Sequence, residues 1–405
     1  MTSLSSDITS MSETALVLED LLLILSVASL VAILVKRIHV PYTTALVLVG
    51  VAVSFLPIEI HVHLSKELVL LIVLPPLLFQ GALHMDLESL KKNLIPIATL
   101  AVPGLIVATF LVGTMLHYAL DMPWLKGLLF GAMVAATDPI SVLAIFREIG
   151  APKRLKALME GESLFNDGTS VVLFAGLFAV LYQGGEPSVT AIAGDFLKVC
   201  LGGAFIGLAF GFLCYRLMKG LDDHLLEVTL TVVLVFGSFL FAEMFHLSGV
   251  IAVVVAGLII GNYGKLFSMS SQTIATIDNF WEVADFLINA VLFVLIGFEM
   301  KAYIGDLTSF ILPGLLIIGI VLLARALTVY PVYYFTSKTR QAFPFGWAHI
   351  MVWGGLKGSI PIALVLGLPR DVPFRAEFLV FTSVLVFFSL VVQSMTMKPL
   401  VKVYQ

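Results

Sequence analysis

Long apolar runs, separated by short polar stretches, follow one another along almost the whole chain. A helix needs about 20 apolar residues to cross the hydrocarbon layer of a bilayer, and we count thirteen such runs, bounded by charges, Pro or Gly. The pattern predicts an all-α polytopic membrane protein with about thirteen transmembrane helices. Span 9 is short, because Gly257 and Gly261 soften its end. In chain order, spans 1 to 13 cover residues 16-35, 40-57, 66-84, 93-118, 122-148, 158-183, 191-218, 223-244, 247-262, 275-300, 304-336, 342-367 and 374-403.

The distribution of Lys and Arg between the loops predicts the orientation, because cytoplasmic loops collect these residues. With the N-terminus outside, fifteen of the 23 Lys and Arg residues fall in inside loops, five in outside loops and three within spans. We therefore expect a multi-pass protein of the cell (inner) membrane, with its N-terminus outside and its C-terminus cytoplasmic. No removable signal peptide is expected at the start, and no soluble domain is expected after the last span.

The composition excludes several classes of function. Only 12% of the 405 residues are charged, whereas a soluble domain carries about 25%, so a soluble enzyme is excluded. The net charge of −4 offers no basic patch for nucleic acid. The chain has no P-loop or other Gly-rich phosphate cradle, so we expect no nucleotide and no cofactor. Cys200 and Cys214 both lie in an apolar stretch and are expected in the core, not in a disulfide framework or metal site.

Five ionisable groups lie deep within the predicted spans. A charged side chain at membrane depth costs about 2.5 to 3.5 kcal/mol on insertion scales and usually faces a cavity or a partner. These groups are therefore candidates for function. They are Asp138 in AATDPIS, Glu162 and Asp167 in GESLFNDGTS, Arg325 in LLARALT, and Lys357 in WGGLKGSIP.

Span 5 is expected to break at Thr137, Asp138 and Pro139. Proline lacks an N–H and clashes with the preceding turn of a helix. Thr137 or Asp138 can cap the second half-helix, whose positive end also suits an acid. The unwound Thr137 carbonyl is then free to face a cation. The alternative is a proline kink in which Asp138 is only a structural cap.

Span 12 has a similar interruption, where Gly354, Gly355, Gly358 and Pro361 surround Lys357. A cation beside the carbonyl ends of half-helices is favourable, so we interpret Lys357 as a structural counter-charge rather than a ligand. Two broken helices of opposite charge suggest a crossing. Paired broken spans in the two halves of a chain indicate the midplane site of a transporter.

Span 6 carries four polar groups, Glu162, Ser163, Asn166 and Asp167, within an arc of about 140° on one helix face. Carboxylate, hydroxyl and amide oxygens suit an alkali cation, and no His or Cys accompanies them to favour zinc or copper. The alternative is a polar interior whose groups satisfy one another.

The buried charges can be paired, because an unpaired buried charge is strongly destabilising. We assign Arg325 to Glu162, and Lys357 to Asp138 together with the half-helix ends, which leaves Asp167 free. Alternatively, Lys357 interacts with the carbonyl dipoles alone and has no acidic partner. A lone carboxylate among oxygen donors can bind a proton or a monovalent cation, and competition between the two is an exchange mechanism.

Span 10 adds a second polar group in the motif FWEVADFLIN. Its residues Glu282, Asp285 and Asn289 either line an ion path from the cytoplasmic side or pack between helices. The sequence favours neither interpretation.

Three segments carry a resemblance to a known family: AATDPISVLAIFREIGAPKRLKALMEGESLFNDGTSVVLF, FWEVADFLINAVLFVLIGF and GGLKGSIPIAL. They resemble the NhaP-type sodium/proton antiporters of the monovalent cation/proton antiporter superfamily. The resemblance implies a homodimer in the lipid bilayer, with thirteen helices and inverted repeats made of spans 1-6 and 8-13. It implies a mobile core of residues 93-183 and 304-403, containing crossing discontinuous spans 5 and 12. Residues 16-84 and 191-300 would form the dimerisation scaffold.

The resemblance also implies roles for individual residues. Asp167 would be the ion-binding acid, with Ser163, the Thr137 backbone and Asp138 close to the ion. Two further implications concern the remaining polar groups of the same region. Asn166 would belong to the Asn-Asp pair of electroneutral members, and Glu162 would form a salt bridge with Arg325. Lys357 departs from the Arg of many relatives, and the two side chains are not equivalent donors.

The expected function is secondary-active exchange of one Na⁺ (or Li⁺) for one H⁺, with Na⁺ held at Asp167, Ser163 and Thr137. A K⁺/H⁺ antiporter of the same fold is the nearest alternative. A cation channel would need a filter signature, and the sequence contains no repeated one. An intramembrane hydrolase would need a base beside Ser163, and the sequence places no His there.

Overall fold

The computed structural model describes residues 2–38, 42–56, 68–138, 140–183, 189–221, 223–299, 307–369 and 371–404. Within these ranges the structure is helical, and the only β-type pairing is an isolated bridge between Lys219 and Leu221. Counted over the same ranges, eight helices have at least 18 residues and enough apolar character to cross a membrane. The all-helical polytopic class expected from the apolar runs is confirmed.

The described residues of the first half of the chain form helices α1 to α9. A π-turn, by which we mean a short π-helical segment, lies at Leu68–Val73 and leads into α3. Another at Leu100–Gly104 joins α5 to α6. The helices are α1 (Thr2–Ile38), α2 (Tyr42–Ser54), α3 (Leu74–His84), α4 (Leu87–Lys92), α5 (Leu94–Thr99), α6 (Leu105–Leu120), α7 (Trp124–Ala135), α8 (Ile140–Ile149) and α9 (Lys153–Gln183).

The described residues of the second half form helices α10 to α19. π-turns at Ile260–Gly264 and Ser389–Gln393 each join two helices into a longer one. The helices are α10 (Val189–Met218), α11 (His224–Met244), α12 (Gly249–Ile259), α13 (Lys265–Phe267), α14 (Ser271–Glu299), α15 (Leu307–Thr336), α16 (Phe345–Trp353), α17 (Ser359–Leu366), α18 (Arg375–Phe388) and α19 (Ser394–Tyr404).

The helix α4 is a short element that the apolar runs did not predict. Asp86 caps it, because its carboxylate accepts hydrogen bonds from the backbone N–H groups of Glu88 at 3.4 Å and Ser89 at 2.8 Å. The helix places Lys91 and Lys92 in its last turn, where cations are favourable. It connects α3 to α5.

The expectation that glycines soften the end of span 9 is wrong. The helical segment continues through the π-turn to Phe267. Gly257 and Gly261 instead allow α12 to pack closely against α3. A Cβ at Gly261 would lie 2.2 Å from the Leu83 carbonyl oxygen, and one at Gly257 would lie 2.7 Å from the Ala82 Cβ.

A similar close approach joins α2 to α14. A Cβ at Gly50 would lie 2.3 Å from the Val294 carbonyl oxygen, and one at Gly297 would lie 2.3 Å from the Val47 carbonyl oxygen. The absence of both side chains therefore fixes the distance between the two helices.

Two apolar clusters position the site between them. One cluster contains Phe130 from α7 and Ile362 from α17. The other contains Phe146 from α8 and Met351 from α16. Because each broken span contributes one half to each cluster, the two interruptions lie between the clusters, where polar groups can gather.

Candidate functional site

Both interruptions expected from the sequence are present. α7 ends at Ala135 and α8 begins at Ile140, while α16 ends at Trp353 and α17 begins at Ser359. Pro139 lies outside the described residues. The two breaks contact each other, because the Asp138 backbone N–H donates to the Leu356 carbonyl oxygen at 2.8 Å.

The contact between the breaks depends on Gly358. A Cβ at this position would lie 1.8 Å from the Asp138 Oδ2, so any side chain here would displace the carboxylate. Glycine therefore lets the Asp138 side chain lie directly against the second break.

Lys357 extends from the second break to the end of α7. Its side chain is buried, and its Nζ donates to the carbonyl oxygens of Ala136 at 2.9 Å and Ala135 at 3.3 Å. These carbonyls form the negative end of a half-helix, so the positive charge of the ammonium interacts favourably with the helix dipole. The pairing of Lys357 with the Asp138 charge stays a prediction.

Glu162 and Arg325 are in direct contact. The Arg325 Nη2 donates to the Glu162 Oε2 at 2.9 Å, and the Arg325 Nη1 donates to the Glu162 Oε1. Arg325 also donates to the Met351 carbonyl oxygen, from Nε at 3.2 Å and from Nη2 at 3.0 Å. The guanidinium thus joins α9 to the end of α16.

Asp167 and Ser163 face a cavity of about 470 Å³ together with Thr137 and Asp138. Asp167 is 9% exposed, and its Oδ1 is buried with no hydrogen-bond partner in the described part of the chain. The Ser163 hydroxyl donates to the Thr137 carbonyl oxygen. That carbonyl, expected to be free, therefore keeps only part of its accepting capacity for an ion.

Asn166 is not part of the cavity wall. Its Nδ2 donates to the Thr137 Oγ1 at 2.8 Å, and its Oδ1 accepts from the Thr137 backbone N–H at 3.3 Å. The residue lines a separate small void beside Glu162 and Arg325. The polar arc of span 6 therefore divides: Ser163 and Asp167 face the cavity, whereas the other two groups hold neighbouring elements.

The cavity reaches the protein surface, because Glu282 and His84 are exposed and belong to its wall. Asp285, also on the wall, adds a further acid. The concentration of carboxylates gives the cavity a field that attracts cations. Its lining comes from α3 and the residue after it, both breaks, α8, α9, α14 and α17: residues 74, 77, 78, 80, 81, 84, 85, 136, 137, 138, 143, 160, 163, 164, 167, 282, 285, 358, 360 and 361.

Asn289, which the sequence placed on a possible ion path, is not part of this wall. Its side chain is buried, and its Nδ2 donates to the Asp285 Oδ1 at 3.0 Å. Of the three candidates in span 10, Glu282 and Asp285 line the cavity, and Asn289 orients the second of them.

Gln80 is a site residue that the sequence did not single out. It lines the same cavity, and its Oε1 is buried without a hydrogen-bond partner among the described residues. Placing a single uncharged amide in an apolar span costs too little free energy to mark the residue as a functional candidate in the sequence.

The candidate ligands at the cavity are oxygen atoms. No group of three or more His, Cys, Asp or Glu side chains that could hold a metal ion occurs in the ranges that the structure describes. The oxygen atoms of Asp167, Ser163 and Thr137 are hard donors, which suit an alkali cation.

Comparison with known proteins gives consistent results. A family model described as "Sodium/hydrogen exchanger, transmembrane" matches residues 22–403. The Na⁺/H⁺ antiporter NhaG of Bacillus atrophaeus is 39% identical over 391 residues, which are 94% of this chain and 73% of that protein. The Na⁺/H⁺ antiporter NhaP of Pseudomonas aeruginosa is 40% identical over 349 residues, covering 83% of this chain and 81% of that protein.

A solved structure has the same fold. The sodium proton antiporter MjNhaP1 from Methanocaldococcus jannaschii at pH 8 superposes with a TM-score of 0.81. The match covers 97% of this chain and 99% of that chain, at 22% sequence identity. At this identity the likeness concerns the architecture alone.

Proposed function

We propose that the chain, which belongs to the sodium/hydrogen exchanger family, exchanges Na⁺ for H⁺ across a membrane. The family consists of transporters rather than enzymes, and the chain is a multi-pass membrane protein. The relatives described above are named as Na⁺/H⁺ antiporters. We carry that activity over to this chain because its own site has the donors that the reaction needs.

One observation carries the proposal. The buried Asp167 carboxylate has an oxygen without a hydrogen-bond partner in the described structure, and it faces a cavity that reaches the surface. A buried carboxylate in this position needs a counter-ion, because an uncompensated charge is costly. Either a proton or a Na⁺ ion satisfies it, and the Ser163 and Thr137 oxygens add ligands for the Na⁺ ion only.

The exchange follows from this competition. When Na⁺ occupies the Asp167 site the proton leaves, and when the proton returns Na⁺ leaves. Each crossing therefore carries one positive charge in either direction, because the charges of Glu162 and Arg325 compensate each other and Lys357 faces backbone carbonyls. We propose a one-for-one, electroneutral exchange, with Li⁺ as a further substrate.

The cavity corresponds to a state of an alternating-access cycle in which the site is open to one side of the membrane. It reaches the surface beside His84 and α4, which the Lys and Arg distribution assigns to the cytoplasmic side. At the residue after Asp167, α9 lies close to α12, since a Cβ at Gly168 would lie 3.2 Å from the Ile251 Cγ1. We propose that this contact closes the outer path in the present state.

The proposed architecture has thirteen transmembrane helices in two inverted repeats, spans 1-6 and 8-13, with spans 5 and 12 crossing. Residues 93-183 and 304-403 would move as the core against a scaffold of residues 16-84 and 191-300. The scaffold would form a homodimer in the cell (inner) membrane, with the N-terminus outside. The likeness to MjNhaP1 supports the helical architecture of this proposal.

Reconstitution of the purified protein into vesicles containing a pH dye tests the function. An outward Na⁺ or Li⁺ gradient is expected to drive protons inward, and the same gradient of choline is expected to have no effect. Proton movement with K⁺ but not Na⁺ would instead identify a K⁺/H⁺ antiporter. If protein that is shown to be folded moves no protons in response to any cation gradient, the proposal is contradicted.

A further inference from the structure

The last predicted span contains a π-turn, Ser389–Gln393, between α18 and α19. Such turns insert one residue into a helix and frequently occur at functional sites. Ser389 and Gln393 are both buried, and the Ser389 hydroxyl donates to the Gln393 Oε1 at 2.8 Å. This bond orients the amide, so that its Nε2 is directed at a carbonyl on another helix.

That carbonyl belongs to Trp353, the last residue of α16. The Gln393 Nε2 donates to the Trp353 carbonyl oxygen at 2.9 Å. The last four carbonyls of a helix have no partner within the helix and must find one elsewhere. At the end of α16, Arg325 satisfies Met351 and Gln393 satisfies Trp353. Side chains from two other elements therefore fix the point at which α16 stops.

The residues that follow Trp353 form the second break. The segment 354–358 is not helical, contains three glycines and carries Lys357. Glycine restricts the backbone little, so the position of this segment depends on its anchors. Beyond Trp353, the anchors of this segment include the bond from the Gly354 N–H to the Ile350 carbonyl oxygen at 2.7 Å, the bond from the Asp138 N–H to Leu356 and the bonds from Lys357 to the end of α7.

We propose that Gln393 is a positioning residue for cation binding. By holding the Trp353 carbonyl, its amide fixes where the 354–358 segment begins, and thereby where Lys357 and Asp138 lie relative to Asp167. Gln393 is not part of the cavity wall. The inference rests on the proposed function, because it concerns the affinity of the same Asp167 site.

The test is the variant Gln393→Met, which keeps an unbranched side chain of similar length and removes the amide. Two quantities are measured: the Na⁺ concentration for half-saturation of binding in detergent, by isothermal titration calorimetry, and the Na⁺ concentration for half-maximal exchange in vesicles. Both are expected to rise, by at most about fivefold, the ratio that corresponds to one net hydrogen bond. The maximal exchange rate is expected to change less than either concentration.

Thr396→Val is the matched control. The Thr396 Oγ1 accepts a hydrogen bond from the Trp353 Nε1 at 2.9 Å, so this variant also removes one bond between Trp353 and the last span. It leaves the Trp353 carbonyl in place. The half-saturating Na⁺ concentrations of this variant are expected to match those of the unmodified protein.

Ser389→Ala keeps the inference testable where Gln393→Met does not fold. It leaves the amide but removes the donor that orients it, so a smaller rise in the same direction is expected. Unchanged half-saturation in every variant that folds, or an equal rise in Thr396→Val, would overturn the inference. A missing Na⁺ response in the unmodified protein would instead count against the proposed function.

Discussion

The contact between Glu162 and Arg325 predicts a specific pattern of stability losses. Glu162→Gln removes one buried charge while keeping the side-chain shape. Glu162 is 2% exposed and Arg325 is 10% exposed, so the remaining guanidinium charge stays buried. Removing one partner of a buried pair costs about 3 to 5 kcal/mol.

Arg325→Met is expected to cost more than Glu162→Gln. It removes the same ion pair and also both hydrogen bonds to the Met351 carbonyl oxygen. An unsatisfied buried carbonyl adds about 1 to 3 kcal/mol. The double variant is expected to cost less than the sum of the single variants, because contacting residues show coupling energies of about 0.5 to 3 kcal/mol.

Thermal unfolding in detergent measures this cycle through the shifts in melting temperature. The pair Glu88 and Lys92 is the control, because its contact at 2.7 Å resembles the buried one but lies on the surface. Exposed pairs contribute little, so its single and double variants are expected to show no measurable coupling. Strictly additive shifts for Glu162 and Arg325 would refute the reasoning.

Three further predictions concern the unmodified protein and two structural details. Exchange is expected to be insensitive to membrane potential, because one carboxylate alternates between one H⁺ and one Na⁺; a clear rate change in valinomycin-clamped vesicles would contradict this. Gly297→Ala is expected to destabilise the protein by about 1 to 3 kcal/mol through overpacking, since its Cβ would lie 2.3 Å from a backbone oxygen. Gly319→Ala, with open space around it, is the control, and equal melting temperatures for the two variants would exclude the effect. Asp86→Ala is expected to cost about 1 kcal/mol at neutral pH by removing a helix cap. Hydrogen bonds from Ser89 hold the pKa of Asp86 below its usual 3.8, so this stabilisation is present above that pH and is lost as the pH falls through the lowered pKa. The melting temperatures of Asp86→Ala and the unmodified protein should then converge, and a gap that persists in acid would contradict the assignment.

The sequence was sufficient to predict the two interruptions. Proline and clustered glycines disrupt a helix locally, so the break near Thr137 and the one around Lys357 are encoded within a few residues. Counting buried charges shows that Arg325 needs an acidic partner, but three acids are available to it. The choice of Glu162 is what the resemblance to the NhaP-type antiporters implies, and the contact in the structure agrees with it.

Features that depend on neighbouring helices could not be predicted in the same way. A helical projection gives the angle of Asn166 but not the element that it faces, so its bonds to Thr137 were missed. The glycines of span 9 were interpreted as weak helix formers, whereas Gly261 is required by the closeness of α3. The π-turn that contains Gln393 cannot be recognised in an apolar run of sequence, because its position along the helix depends on tertiary contacts.

The most direct test of the central claim, that Asp167 is the shared Na⁺ and H⁺ site, is the exchange activity of Asp167→Asn in vesicles. Asparagine keeps the size of the side chain but cannot exchange a proton for a cation. The variant is expected to fold, to lose Na⁺-driven proton movement and to show no Na⁺-dependent rise in melting temperature. Glu282→Gln, which removes an exposed acid from the same cavity wall, is expected to retain exchange. Normal Na⁺-driven proton movement by Asp167→Asn would contradict the claim.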